Sequence, residues 1–123
     1  MSRFITPLKV ALVGEGRWHL VSPLIYESKV LGRTVTVADG FRTDFASVPR
    51  LPVVYLLFGG TAEAAAVVHD WLYFSAAAPR RVADKVFLEA ARVTGVPAWR
   101  ARAMYIGLRL FGGARYGVGS KLV

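Results

Sequence analysis

The stretch Thr61-Ala62-Glu63-Ala64-Ala65-Ala66-Val67-Val68-His69-Asp70-Trp71-Leu72-Tyr73 decides the fold, because here the chain changes period. Before it, short apolar runs are broken by turn residues; within it, almost every residue is compatible with a helix. Thr61 is placed to cap that helix, and Glu63 falls in the first turn, where a negative charge suits the dipole. The many alanines permit close approach of a neighbouring backbone.

Working outward, Ala76-Ala77-Ala78-Pro79 breaks this element and a second helix is expected from about Arg80 to Thr94. Its apolar face combines Val82, Val86 and Val93 with Ala83, Phe87 and Ala90, and Gly95 stops it. Pro97 suits the start of a third helix, roughly Ala98 to Phe111, packing through Met104, Tyr105, Leu108 and Phe111. Residues 112–123 form a glycine-rich basic tail.

Upstream, residues 1–50 read as strands and loops. Leu8 to Leu12, Trp18-His19-Leu20-Val21, Leu24-Ile25-Tyr26 and the alternating Arg33-Thr34-Val35-Thr36-Val37 are strand-like, and Asp39-Gly40 signals a tight turn into Phe41-Arg42-Thr43. Two prolines end strand pairing in the loop from Asp44 to Pro52 and leave Ser47 and Arg50 on irregular backbone. The expected fold is α+β: a small N-terminal antiparallel sheet followed by three packed helices, in one domain over residues 1–123. No internal repeat is visible.

The chain has 123 residues, and its 54% apolar content argues against disorder. It has no cysteine, which removes disulfides and thiolate metal sites. The N-terminus lacks the pattern of a signal peptide, and no segment reaches the roughly 18 uncharged apolar residues of a membrane span, so a soluble protein is expected. The formal charge is +8, and residues 91–123 carry Arg92, Arg100, Arg102, Arg109, Arg115 and Lys121 with no acid. Such a field suits polyanions, acidic protein surfaces or anionic lipid.

The chemistry-bearing residues cluster on the helical half. His69 and Tyr73 are four positions apart and share a helix face, with Asp70 about 100° away. Antiparallel packing across the 76–79 turn would bring Asp84 beside His69. A carboxylate on one ring nitrogen leaves the other as a base toward water. Asp70, with Asp44 or loop carbonyls, offers the oxygen ligands that a hard cation such as Ca2+ takes. Each residue also has a structural role open to it. His69 can be a satisfied core histidine, Asp44 can close an Asx turn, Arg50 can pair with Asp44 or Asp70, and the Tyr73 hydroxyl can tie to Asp84. His19, beside Trp18 in a strand pattern, reads as structural, and Ser47 lacks the Gly-x-Ser-x-Gly setting of a nucleophile. There is no phosphate loop, His-Glu-x-x-His or EF-hand loop. Positive charge without a reading element predicts no sequence-specific nucleic-acid binding.

Thr43-Asp44-Phe45-Ala46-Ser47-Val48-Pro49-Arg50, Ala65-Ala66-Val67-Val68-His69-Asp70-Trp71-Leu72-Tyr73, Ala83-Asp84-Lys85-Val86-Phe87 and Arg109-Leu110-Phe111-Gly112 together resemble the DUF1353 family, small proteins of unknown function encoded mainly by tailed bacteriophages and prophages. The resemblance runs from about residue 8 to 117 and implies a phage or prophage setting, in the virion or the host cytoplasm. More distantly, His69-Asp70-x-x-Tyr73 with Asp84 resembles the helix pair of secreted phospholipase A2. That likeness implies His69 as base, Asp70 as calcium ligand, Asp84 as orienter and Tyr73 as its support. No glycine-rich calcium loop is recognisable unless Phe58-Gly59-Gly60 serves, and the disulfides of that superfamily are absent.

Three functional classes follow. The leading expectation is a phage structural or assembly-associated protein, a tail, baseplate, neck or capsid-associated subunit whose partners are other virion proteins, docking through its C-terminal arm and the apolar run 51–58. The alternative is a small hydrolase with a His/Asp water-activating site, calcium-dependent in the phospholipase manner, acting on anionic lipid or cell-wall polymer. A soluble inhibitor of a host system is the third.

Overall fold

The computed structural model describes residues 2–14, 17–43, 63–111 and 113. Among the described residues six strands precede three helices: β1 (Arg3–Phe4), β2 (Val10–Gly14), β3 (Arg17–Leu20), β4 (Leu24–Ser28), β5 (Arg33–Val37), β6 (Arg42–Thr43), α1 (Glu63–Ser75), α2 (Arg80–Val93) and α3 (Ala98–Phe111). The architecture is α+β, antiparallel strands first and packed helices after. The expected Thr61 cap, the 44–52 loop, the 51–58 run, Phe58-Gly59-Gly60 and the 114–123 part of the tail lie outside the described residues.

The strands divide into two three-stranded antiparallel sheets, ordered β1-β4-β5 and β2-β3-β6. β4 and β5 form a hairpin, Leu24 opposite Val37 through Ser28 opposite Arg33, closed by a turn in which the Gly32 amide donates to the Lys29 carbonyl at 3.2 Å. Alternation does what the sequence implies: Leu24, Tyr26, Val35 and Val37 are buried while Thr34 and Thr36 are exposed. The Asp39-Gly40 turn forms, with Phe41 N–H donating to Ala38 at 3.3 Å and Gly40 at φ +84°, a conformation that favours glycine. It does not close a hairpin. β5 and β6 belong to different sheets, so this turn hands the chain from one sheet to the other.

The helices fall where the period change predicts. α2 is in contact with both α1 and α3, α1 meets β5 and α2 meets β4. α1 buries Ala65, Ala66, Val67, Val68 and Leu72, so the small side chains let its backbone lie close to its neighbours. Ala76 takes φ +49° as the chain leaves α1, and Pro79 starts α2 by accepting from the Ala83 amide at 2.9 Å. α2 ends in a Schellman motif: Val96 N–H donates to Ala91 at 3.0 Å, Gly95 N–H donates to Arg92 at 3.1 Å, and Gly95 sits at φ +98°. Val96 beyond it is buried, which pins the turn to the core.

On α2, Ala83, Val86, Phe87 and Ala90 are buried as expected, but Val93 is exposed because it lies at the helix end, one residue before the cap. On α3, Ala101, Met104 and Leu108 are buried and Tyr105 is half-buried; the Phe111 side chain is outside the described set. Sheet and helix residues contribute to a common core, with Tyr26, Phe87, Leu20 and Leu24 its largest fully covered side chains. An aromatic cluster of Phe41, Trp71 and Phe74, with ring centroids 5.5–6.3 Å apart, packs the start of β6 against the outer side of α1.

A polar tie joins sheet to helix. Glu89 on α2 accepts from Tyr26 Oη at 2.8 Å, Ser28 Oγ at 2.8 Å and the Val30 amide at 3.0 Å. Burial raises the Glu89 pKa, but hydrogen bonding from Ser2, Tyr26, Ser28 and the Val30 amide outweighs it and holds the carboxyl below its ordinary range.

Candidate functional site

A buried cluster links α1, α2 and α3. His69 and Tyr73, one turn apart on α1, aim at α2; their ring centroids are 4.0 Å apart and the imidazole meets Phe87 edge-on at 5.6 Å. Asp84, in the first turns of α2, is the meeting point. His69 Nε2 lies 2.7 Å from Asp84 Oδ1, and the Tyr73 hydroxyl donates to the same oxygen. Asp84 is 0% exposed and His69 1% exposed, so neither group meets bulk water.

Two arginines complete the cluster. Arg109 on α3 donates from Nη1 to Asp84 Oδ2 at 2.8 Å. Arg80 donates from Nε to the Tyr73 hydroxyl at 3.2 Å and from Nη2 to the carbonyls of Leu108 and Arg109 at 2.7 and 2.8 Å. Asp84 therefore accepts from three side chains on two other helices, the satisfaction that an ionised carboxylate at full burial requires.

The titration directions agree with this geometry. Burial raises the Asp84 pKa, but hydrogen bonds from His69, Tyr73 and Arg109 and the charge of His69 together hold it below the ordinary carboxylate value. Burial first, then the bond to Asp84, raises the Tyr73 phenol, with Arg80 opposing. Tyr73 is therefore a donor. An ionised Asp84 can only accept, so His69 carries a proton on Nε2, and in the neutral ring Nδ1 is the basic nitrogen.

The predicted site residues separate into three sets. His69, Asp84 and Tyr73 are brought together. Asp70 is half-buried beside His69 on α1 but off the face that Asp84 occupies. Asp44, Ser47 and Arg50 lie outside the described residues. Among the described residues no group of three or more His, Cys, Asp or Glu side chains is gathered to hold a metal. Calcium takes six to eight oxygens, and of the two carboxylates expected to bind it Asp70 is the one within the described residues. His19 lies in β3 opposite Ala11 and Arg42. Sequence reasoning missed the roles of Arg80 and Arg109. Arg109 stands out in sequence as part of the acid-free basic C-terminal region and of the Arg109-Leu110-Phe111-Gly112 motif, with no signal in either that it reaches Asp84.

The model of one family, described as protein of unknown function (DUF1353), matches residues 18–108, from β3 into the last turns of α3. The chain belongs to the DUF1353 family. The matched region contains His69, Tyr73, Arg80 and Asp84, and ends one residue short of Arg109. This DUF1353 chain is also similar to the uncharacterized protein y4jT of Sinorhizobium fredii (strain NBRC 101917 / NGR234), 35% identical over 82 residues. The match covers 62% of this chain and 23% of that protein. No solved structure gives a significant match. Among the described residues no helix is long and apolar enough to cross a membrane.

Proposed function

We propose that this DUF1353 chain is a small phage-encoded hydrolase in which His69, oriented by Asp84, activates water against a carboxylic ester or amide. The observation that carries this reading is the 2.7 Å contact between His69 Nε2 and Asp84 Oδ1, with Asp84 clamped from both oxygens. Asp84 fixes the ring and stabilises the imidazolium that forms when Nδ1 takes a proton from water. The water oxygen then adds to the carbonyl carbon, and the proton on Nδ1 passes to the departing alkoxide or amine as the carbon–heteroatom bond breaks. Tyr73 and Arg109 keep Asp84 ionised and in place through that cycle. Asp70, with Asp44 or loop carbonyls, would be the residues to hold Ca2+, which when bound would polarise the carbonyl oxygen; no proton movement above depends on it.

The test is hydrolysis of short-chain esters, phospholipids and peptidoglycan fragments by the purified protein, with and without added calcium. Activity lost in His69→Asn and Asp84→Asn, both with parental circular dichroism, is the expected result. A parent protein inactive on every substrate, or activity that survives His69→Asn, removes the reading.

The full burial of both members of the pair favours a second reading. A charge cluster sealed among three helices also serves as a structural lock, and a virion or assembly subunit needs no more than that. Fixed copy number in purified virions, with no His69-dependent hydrolysis, supports the structural role.

A further inference from the structure

The last helix is apolar on two opposite sides. Ala101, Met104 and Leu108 face the core, while Trp99, Ile106 and Leu110 are 59%, 56% and 69% exposed. At about 100° per residue, Trp99, Ala103, Ile106 and Leu110 fall within an arc of about 60° on the outer face. Such a stripe of large apolar side chains calls for a partner of matching chemistry.

We propose that the outer face of α3 docks on an anionic lipid bilayer, lying flat at the headgroup level. Charge complementarity selects this occupant. Arg102 flanks the stripe on one side and Arg100 on the other, where its guanidinium carbon is 5.2 Å from the Trp99 ring centroid. No acidic residue occurs between positions 91 and 123. Tryptophan, isoleucine and leucine set between arginines match an interfacial helix, whose apolar side enters the headgroup and acyl boundary by about 5–10 Å while cationic side chains meet lipid phosphates. A second copy of the chain is disfavoured, since stripe-on-stripe packing would set two rows of arginines against each other. A helix of 14 residues is about 21 Å long, shorter than the hydrocarbon core of about 30 Å, so it rests on the bilayer.

The face is also held rigidly. Arg80 binds the carbonyls of Leu108 and Arg109, and Arg109 is fixed to Asp84, so the last turn is presented in place and little ordering remains to be done on binding. The proposal rests on the surface of α3 and not on the hydrolytic reading of His69.

The full-length protein is sedimented with vesicles of phosphatidylcholine alone and of phosphatidylcholine mixed with phosphatidylglycerol. Binding to the mixed vesicles, weakening as salt rises, is expected. The double variant Ile106→Glu, Leu110→Glu should bind about tenfold more weakly, since both side chains point away from the core. Arg102→Glu gives a second measure, because it reduces the attraction and leaves the stripe intact; circular dichroism of both variants should match the parent. A parent that ignores mixed vesicles, variants that bind as the parent does, or a dimer in sedimentation velocity that the double variant loses would overturn the proposal.

Discussion

Arg109 donates to the Oδ2 oxygen of Asp84, while His69 and Tyr73 occupy Oδ1, so both oxygens of one carboxylate are engaged by side chains from two other helices. Asp84 is thereby a joint of the helical layer as well as a member of the candidate site. Asp84→Asn keeps the shape and removes the charge, and its amide nitrogen faces donors in place of an acceptor. Breaking a buried, hydrogen-bonded charge set from one side costs about 3–5 kcal/mol, and urea unfolding followed by circular dichroism should show a loss of that size. A variant as stable as the parent would mean that the cluster contributes nothing net to the fold.

Tyr73→Phe is the milder probe. It retains the ring against His69 and deletes one donor to an ionised acceptor, together with the acceptor for Arg80 Nε. Hydrogen bonds to charged groups contribute about 1.5–3 kcal/mol. A loss in this range with unchanged far-ultraviolet circular dichroism is expected, and a Tyr73→Phe variant as stable as the parent would show that the hydroxyl contributes nothing net.

Acid should weaken the protein through Asp84 and Glu89, whose folded pKa values both lie below ordinary ones. For such groups the unfolded chain binds protons more tightly, so their contribution is complete above the unfolded carboxylate range near pH 4 and is lost as pH falls through the lowered folded values. Urea midpoints measured across the acid range should drop in that window, and Asp84→Asn should drop less steeply. Parallel profiles for parent and variant would contradict this assignment.

Glu89→Ala tests the tie between the β4–β5 hairpin and α2. It strands the Tyr26 hydroxyl and Ser28 Oγ, both on buried residues, and leaves the Val30 amide of the exposed turn to water. Leaving buried donors unsatisfied costs about 1–3 kcal/mol. Hydrogen exchange should quicken at Val30 and along the hairpin before it changes in α1; uniform change across the molecule would place the tie elsewhere.

Local chemistry made much of the fold legible. The shift from alternating to helical pattern, Pro79, Gly95 and Pro97 mark the three helices to within a residue or two, since caps and breakers act over neighbours in sequence. The His69–Tyr73 spacing and a short connection likewise foretell that Asp84 can meet His69. Partition of the strands into two sheets was not legible: Asp39-Gly40 encodes a turn, but not the identity of the strand that follows as a partner. Arg80 and Arg109 were hidden for the same reason. Arg109 meets a carboxylate 25 positions earlier, and a long flexible cation in a basic segment carries no periodic signal of where its head will rest.

The two carbonyls that Arg80 gathers at the end of α3 couple events that sequence keeps far apart. The same guanidinium holds the Tyr73 hydroxyl, so unravelling the last turn of α3 withdraws support from the phenol on α1 in the same opening. Fraying, usually confined to a helix end, becomes here a shared cooperative unit, and whatever settles on the outer surface near Leu110 would be felt, through one cation, at the imidazole's neighbour.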